Sequence, residues 1–162
     1  LRNLHKEEFL DPLLYGINEK LNLIASHKKQ NKVPYLLKIS PDESFSSIEK
    51  IVEIALRNNV EGLIATNTTV SRPSRFIKNE SGGLSGKLIE KKSTDTIKFI
   101  HQLTSGRLPI IGVGGIFDVN SALRKLDAGA DLVQLYSAFI YEGPLLPKKI
   151  IAGLRERKLW QS

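Results

Sequence analysis

Apolar residues recur along this chain at two periods, and their alternation organises the reading. Over residues 6–25, Phe9, Leu13, Leu14, Ile17, Leu21 and Ile24 return at threes and fours, the spacing of an amphipathic helix with a soft break near Pro12. Residues 26–32 are polar and read as a loop. Residues 33–40 follow as a short buried strand, because Pro34 is tolerated at a strand's first position, and only Lys38 interrupts the apolar run. A helix starting at Ser44 or Ser46-Ser47 carries Ile48, Ile51, Val52, Ala55 and Leu56 on one face, and Asn58-Asn59 ends it. Residues 60–66 form the next strand, whose end bears Thr66-Asn67-Thr68-Thr69. The stretch from Val70 to about Lys91 shows no period. Loops of that length in a compact domain are usually functional or disordered.

Ser93 or Thr94 is expected to cap a helix with Ile97, Ile100 and Leu103 inward. Arg107-Leu108-Pro109 then leads into Ile110-Ile111-Gly112-Val113-Gly114-Gly115-Ile116, a short apolar run that breaks into paired glycines. This is the pattern of a buried strand opening into a turn where backbone can approach a ligand without a Cβ in the way. A helical pattern at residues 122–126 follows, and after Gly129 comes a second apolar run over 131–138. A final helix over about 145–158, after Gly143-Pro144, turns Ile150, Ile151 and Leu154 inward. Strands at 35–39, 61–65, 108–112 and 131–135, each followed by a helix, predict parallel pairing with right-handed crossovers. Four such units amount to roughly half of a (β/α)₈ TIM barrel, with an open flavodoxin-like sheet as the alternative. Polar groups near all four strand ends favour the barrel, whose sites lie on that face. Residues 1–162 therefore read as one half of a single barrel domain, with residues 1–32 a helix and loop before the first strand.

Composition narrows the chemistry. Of 162 residues, 41% are hydrophobic, enough for a core, while no apolar run approaches the length that spans a bilayer. There is no secretory signal pattern at the start. With no cysteine there is neither a disulfide framework nor a thiolate metal site, and His5, His27 and His101 lie too far apart for a zinc motif. The excess of 24 Lys and Arg over 17 Asp and Glu would suit an anionic partner. Its scatter over helices and loops, without an aromatic-interleaved stripe, points to a solvated surface rather than nucleic acid. The chain has no methionine and opens in mid-pattern at Leu1-Arg2-Asn3-Leu4-His5, so a fragment or processed chain is expected.

Lys38 is the most informative single residue, since an ammonium in a buried strand calls for an anionic or polarised partner, unless it snorkels from the strand end to water. Asn67 and Thr68 offer amide and hydroxyl groups suited to a planar ligand with carbonyl and N–H edges, or they cap their own turn. Ser81 to Lys87 is glycine-rich but lacks the spacing of a P-loop. Gly114-Gly115 with Tyr136-Ser137 offers backbone N–H groups and a hydroxyl for a phosphate, near the positive end of the helix after Phe117. No Ser/His/Asp or Cys/His set and no carboxylate pair stands at a strand end, so electron transfer through a cofactor fits better than hydrolysis.

Five ordered stretches together resemble a known family: Lys38-Ile39-Ser40-Pro41-Asp42, Thr66 through Pro73, Gly82-Gly83-Leu84-Ser85-Gly86-Lys87, Pro109 through Gly115, and Gln134-Leu135-Tyr136-Ser137. The chain from Val33 onward is similar to the dihydroorotate dehydrogenases, and its order and spacing resemble their membrane-associated, quinone-using class. The resemblance implies an FMN-holding barrel that oxidises dihydroorotate to orotate in pyrimidine synthesis, with quinone as acceptor. It places Lys38 at the flavin's pyrimidine edge, Thr66 and Gly86 on FMN, Asn67 and Thr68 on orotate, and Gly115, Tyr136 and Ser137 at the FMN phosphate. By the resemblance, residues 1–162 are the C-terminal half of the barrel and the family's catalytic serine belongs to the first half, so no catalytic base is expected here, and Lys87-Leu88 stands where the family usually has Lys-Pro. Peripheral membrane attachment through that other half is implied, at the mitochondrial inner membrane in a eukaryote or the cytoplasmic membrane in a bacterium. The competing readings are a flavin-free phosphate-binding lyase or isomerase, and a non-catalytic half-barrel.

Overall fold

A computed structural model describes residues 6–72 and 82–157. Residues 1–5, Pro73 and Ser81 of the long loop, and Lys158 at the expected end of the last helix lie outside them. The chain begins with helix α1 (Glu7–Lys28) and alternates thereafter: β1 (Leu36–Ile39), α2 (Phe45–Arg57), β2 (Gly62–Ala65), α3 (Glu90–Thr104), β3 (Ile110–Val113), α4 (Val119–Asp127) and β4 (Leu132–Gln134). Two short helices close it, α5 (Ser137–Glu142) and α6 (Leu146–Glu156). All neighbouring strands are parallel and their spatial order is β1-β2-β3-β4. A flavodoxin-like sheet would shuffle that order, so this is an arc of barrel wall.

Right-handed crossovers place the helices on one side of such a wall. Burial follows: Ile39, Leu63, Ala65 and Ile110 are fully covered by the helices. Their alternates Lys38, Ile64 and Ile111 form one paired row on the opposite, concave face, continued by Leu132. The main core joins Leu10 and Leu14 of α1, Ile48, Ile51, Val52 and Ile54 of α2 and Ile97 and Ile100 of α3 to the sheet. Removing each of these aliphatic side chains from water is worth about 1.5–3 kcal/mol. A second cluster, Ile116, Ala122, Leu123, Ala138, Leu146, Ile150 and Leu154, locks α4, α5 and α6 together.

Several expectations change on contact with this packing. Pro12 does not break α1, which continues through it, and the buried face is Leu10 and Leu14 while Phe9, Leu13 and Ile24 remain exposed. Leu56, Leu103 and Ile151 also point outward. The third helix begins at Glu90, after a 3₁₀ turn at Lys87–Ile89, rather than at Ser93 or Thr94. Those hydroxyls are spent elsewhere: Ser93 donates to Val113 O at 2.5 Å and Thr94 to Glu90 O at 2.8 Å. The fourth strand is shorter than expected, and helix α5 starts at Ser137 where the sequence suggested a continuing apolar run.

Candidate functional site

The C-terminal ends of the strands converge on one cleft. Lys38, Thr66, Asn67, Thr68, Gly86, Gly115, Tyr136 and Ser137, the eight residues singled out from the sequence, all line it. Each arrives by a local rule. Asn67 leaves β2 with its N–H donating to Ile39 O at 2.7 Å, and its own side-chain oxygen accepts from the Thr68 N–H at 2.9 Å. That local bond is the turn-capping arrangement, made by a side chain that also lines the cleft. Thr66 is buried and donates its hydroxyl to Asn67 O at 3.0 Å. Beyond, Thr69 exchanges both backbone hydrogen bonds with Leu84, at 3.1 and 2.7 Å. This bridge brings the glycine segment back over β2. Gly83 touches the Thr68 hydroxyl so closely that a Cβ would lie 1.9 Å from it.

On the far side, Gly114 and Gly115 hold φ values of 116° and 76°, which side chains resist. A Cβ on Gly114 would meet Ile89 at 2.8 Å, and one on Gly115 would meet Glu90 Cβ at 2.3 Å. Both glycines line the cleft, and only glycine lets Ile89 and Glu90 pack this closely against the turn. Glu90 is fixed beneath it from α4: Arg124 Nε reaches Glu90 Oε1 at 2.6 Å, and Lys125 Nζ donates to Glu90 O at 2.9 Å and Thr94 Oγ1 at 2.8 Å. Lys125 is wholly buried. Desolvation, with Arg124 adding to it and Glu90 and Asp95 opposing, pushes its pKa down to about 8. Ser85 and Ser137 join hydroxyls at 2.8 Å across the cleft mouth.

Two electrostatic expectations are corrected. Lys38 is not a buried cation: it sits mid-strand, paired in register with Ile64, and its strand is accessible on the concave face, which no helix among the described residues covers. The argument from desolvation therefore does not apply within this chain, although the position in the cleft stands. Nor does α4 offer its positive end to an anion. Asp118 already occupies it in a capping box, its carboxylate accepting from Ser121 N–H at 2.7 Å while the Ser121 hydroxyl receives the Asp118 N–H at 3.0 Å. Those hydrogen bonds hold the Asp118 carboxyl below its ordinary pKa. An anion here would rest on the glycine backbone and the groups of Tyr136 and Ser137.

Sequence reasoning missed Ser85, Ile89, Ile116, Phe117 and Leu135 as lining residues. Ser85 and Leu135 stood inside motifs already quoted, but Ile89, Ile116 and Phe117 carry no mark that separates cleft from core. Among the described residues no helix is long and apolar enough to cross a membrane.

The family profile described as dihydroorotate dehydrogenase matches residues 14–158. A protein of Pseudoalteromonas translucida named dihydroorotate dehydrogenase (quinone) is 48% identical over 158 residues, covering 95% of this chain and 46% of that protein. One of the same name from Shewanella sediminis is 47% identical over 160 residues, covering 97% and 47% respectively. Among solved structures, DHODH from Eimeria tenella in complex with ferulenol superposes with a TM-score of 0.86 at 26% identity, over 98% of this chain and 47% of that one. The chain thus spans about half the length of the curated relatives it matches.

Proposed function

Because the chain belongs to the dihydroorotate dehydrogenase family, we propose that its cleft is one wall of an FMN site at which dihydroorotate is oxidised to orotate, with a quinone as the final acceptor. The carrying observation is the convergence on a single cleft of eight residues from β1, the connection after β2, and the segments that follow β3 and β4. FMN fits what is there. The positive-φ Gly114-Gly115 turn lines the cleft with Tyr136 and Ser137, an end that suits a phosphate held by backbone and hydroxyl groups. Thr66 and Gly86 line the middle.

When bound, FMN supplies a two-electron acceptor for hydride. Lys38 presents a fixed positive charge where negative charge develops, which lowers the barrier without reorganisation. Asn67 and Thr68 present amide and hydroxyl groups to the substrate's polar edges and hold it in register. The proton acceptor is a serine in the part of its relatives' length that this chain does not span. That same part carries the peripheral attachment to the membrane, mitochondrial inner in a eukaryote or cytoplasmic in a bacterium, where the quinone is found.

The test is on the full-length parent protein. Purified, it is expected to be yellow, to bleach on anaerobic addition of dihydroorotate, and to recover its colour with a soluble quinone. A colourless, well-folded protein that binds neither flavin nor orotate would overturn the proposal in favour of a flavin-free barrel.

A further inference from the structure

Asn67 and Thr68 belong to no helix or strand; the sheet ties the stretch at its start, through the Asn67 N–H to Ile39 O at 2.7 Å, and its far side is tied by a side chain. The nearest anchor after Thr68 is Asp42, contributed by the loop after β1. Thr69 Oγ1 donates to Asp42 Oδ1, and the Val70 N–H donates to Asp42 Oδ2 at 2.8 Å. Lys92 Nζ of α3 fixes the same carboxylate at 2.6 Å. The Asp42 side chain is only 19% exposed, yet it is not among the residues that line the cleft. Two βα units, β1–α2 and β2–α3, therefore meet at one carboxylate, which grips the chain directly after the proposed substrate contacts. Through the Thr69–Leu84 bridge the same clamp also sets Gly83 against Thr68.

We propose that Asp42 is a positioning residue for substrate, fixing how Asn67 and Thr68 are presented by gripping Thr69 and Val70. The inference rests on the reading of the cleft given above. Both oxygens are needed, which makes the isosteric amide informative. An asparagine has one acceptor and one donor, so its NH₂ must face the Val70 N–H or the Lys92 ammonium, and one grip is lost. The carboxylate stays charged through the neutral range. Partial burial works to raise its pKa, and the bonds from Lys92, Thr69 and Val70 outweigh that and hold it below the ordinary value.

The experiment uses the full-length flavin-loaded parent and three readouts: flavin per protein, orotate Kd from the flavin absorbance change, and KM and kcat for dihydroorotate taken separately. Asp42→Asn is expected to raise orotate Kd and dihydroorotate KM about tenfold, the usual consequence of losing a charged hydrogen bond, with flavin content intact. Its kcat is expected within about twofold of wild type, since presentation rather than chemistry changes. Lys92→Met keeps the Thr69 and Val70 grips and is expected to raise Kd only about twofold. Thr69→Val removes one grip and leaves the backbone bridge, so it carries the test if Asp42→Asn does not fold. Unchanged orotate affinity in Asp42→Asn or Thr69→Val would overturn the inference, as would flavin loss in step with orotate affinity. If wild type itself bound flavin but not orotate, the reading of the cleft would fail and the inference with it.

Discussion

Lys38 bears the heaviest chemical demand in the cleft. A preorganised positive charge at a developing anion is commonly worth about 3 kcal/mol, so Lys38→Ala in the full-length parent is expected to slow flavin reduction by dihydroorotate about a hundredfold. Anaerobic stopped-flow absorbance reads this directly, and near-normal reduction in a folded variant would remove Lys38 from the reaction. Asn67→Ala is expected to weaken orotate binding about tenfold while leaving flavin content intact. Titration of orotate against the holoprotein checks it, and flavin loss would reassign the side chain to the cofactor. Both residues were legible in the sequence because their chemistry is out of place: a charge interrupting an apolar run, and polar groups ending one. Asp42 and Lys125 were not. Asp42 acts on Thr69, Val70 and Lys92, and Lys125 on Glu90 and Thr94, all distant in sequence. A lysine at a helical position reads as solvent-facing until the packing shows it wholly buried.

Among the described residues, periodicity located five of the six α-helices and all four strands, since each element buries one face. It failed where one element's face was defined by another. α1 rests on α2 through Leu10 and Leu14 rather than the wider stripe its spacing allowed, with Asp11 held by Arg57 at 3.0 Å and Asn58 at 2.7 Å. Six-residue α5 is too short to show a period at all. Capping signals were read well at Ser44, which accepts from Ser47 N–H, and misread at Ser93, whose hydroxyl turns into the sheet. At this scale Asp118→Ala is expected to destabilise the parent by about 1 kcal/mol through loss of the α4 cap. Urea denaturation at neutral pH measures it. The folded Asp118 carboxyl titrates below its unfolded value. Its stabilisation is therefore complete above the unfolded pKa of about 4 and is lost as pH falls through the lower, folded one. Wild type and variant should converge in acid, and a gap that persists there would assign the loss to something other than the carboxylate.

For the molecule as a whole, the sequence of alternating periods carried the barrel architecture, but not which face of the wall would be covered. Among the described residues the outer edges of β1 and β4 have no strand partner, and Leu36 and Leu132 are exposed, Leu132 by 54%. Unpaired parallel edges beside an apolar face favour association. Residues 1–162 expressed alone are accordingly expected to self-associate, to hold little FMN and to show no dihydroorotate-dependent dye reduction. Light scattering, bound flavin and a dye assay check this, and a monomer with stoichiometric flavin and turnover would place a proton acceptor within these residues. The strand registers also bear on how the barrel accommodates its site. Leu36 pairs with Gly62, a separation of 62 − 36 = 26 residues, whereas Leu63 pairs with Ile110, 110 − 63 = 47. The longer span contains the groups that Asp42 grips, the Thr69–Leu84 bridge and part of the cleft. Closing a flexible segment becomes harder only as the logarithm of its length, so the extra residues disfavour β2–β3 pairing by only about 0.5 kcal/mol of chain entropy. A wall built from neighbouring strands can therefore lengthen the connection that carries its chemistry at almost no thermodynamic disadvantage, and length variation among relatives is expected to concentrate between β2 and α3.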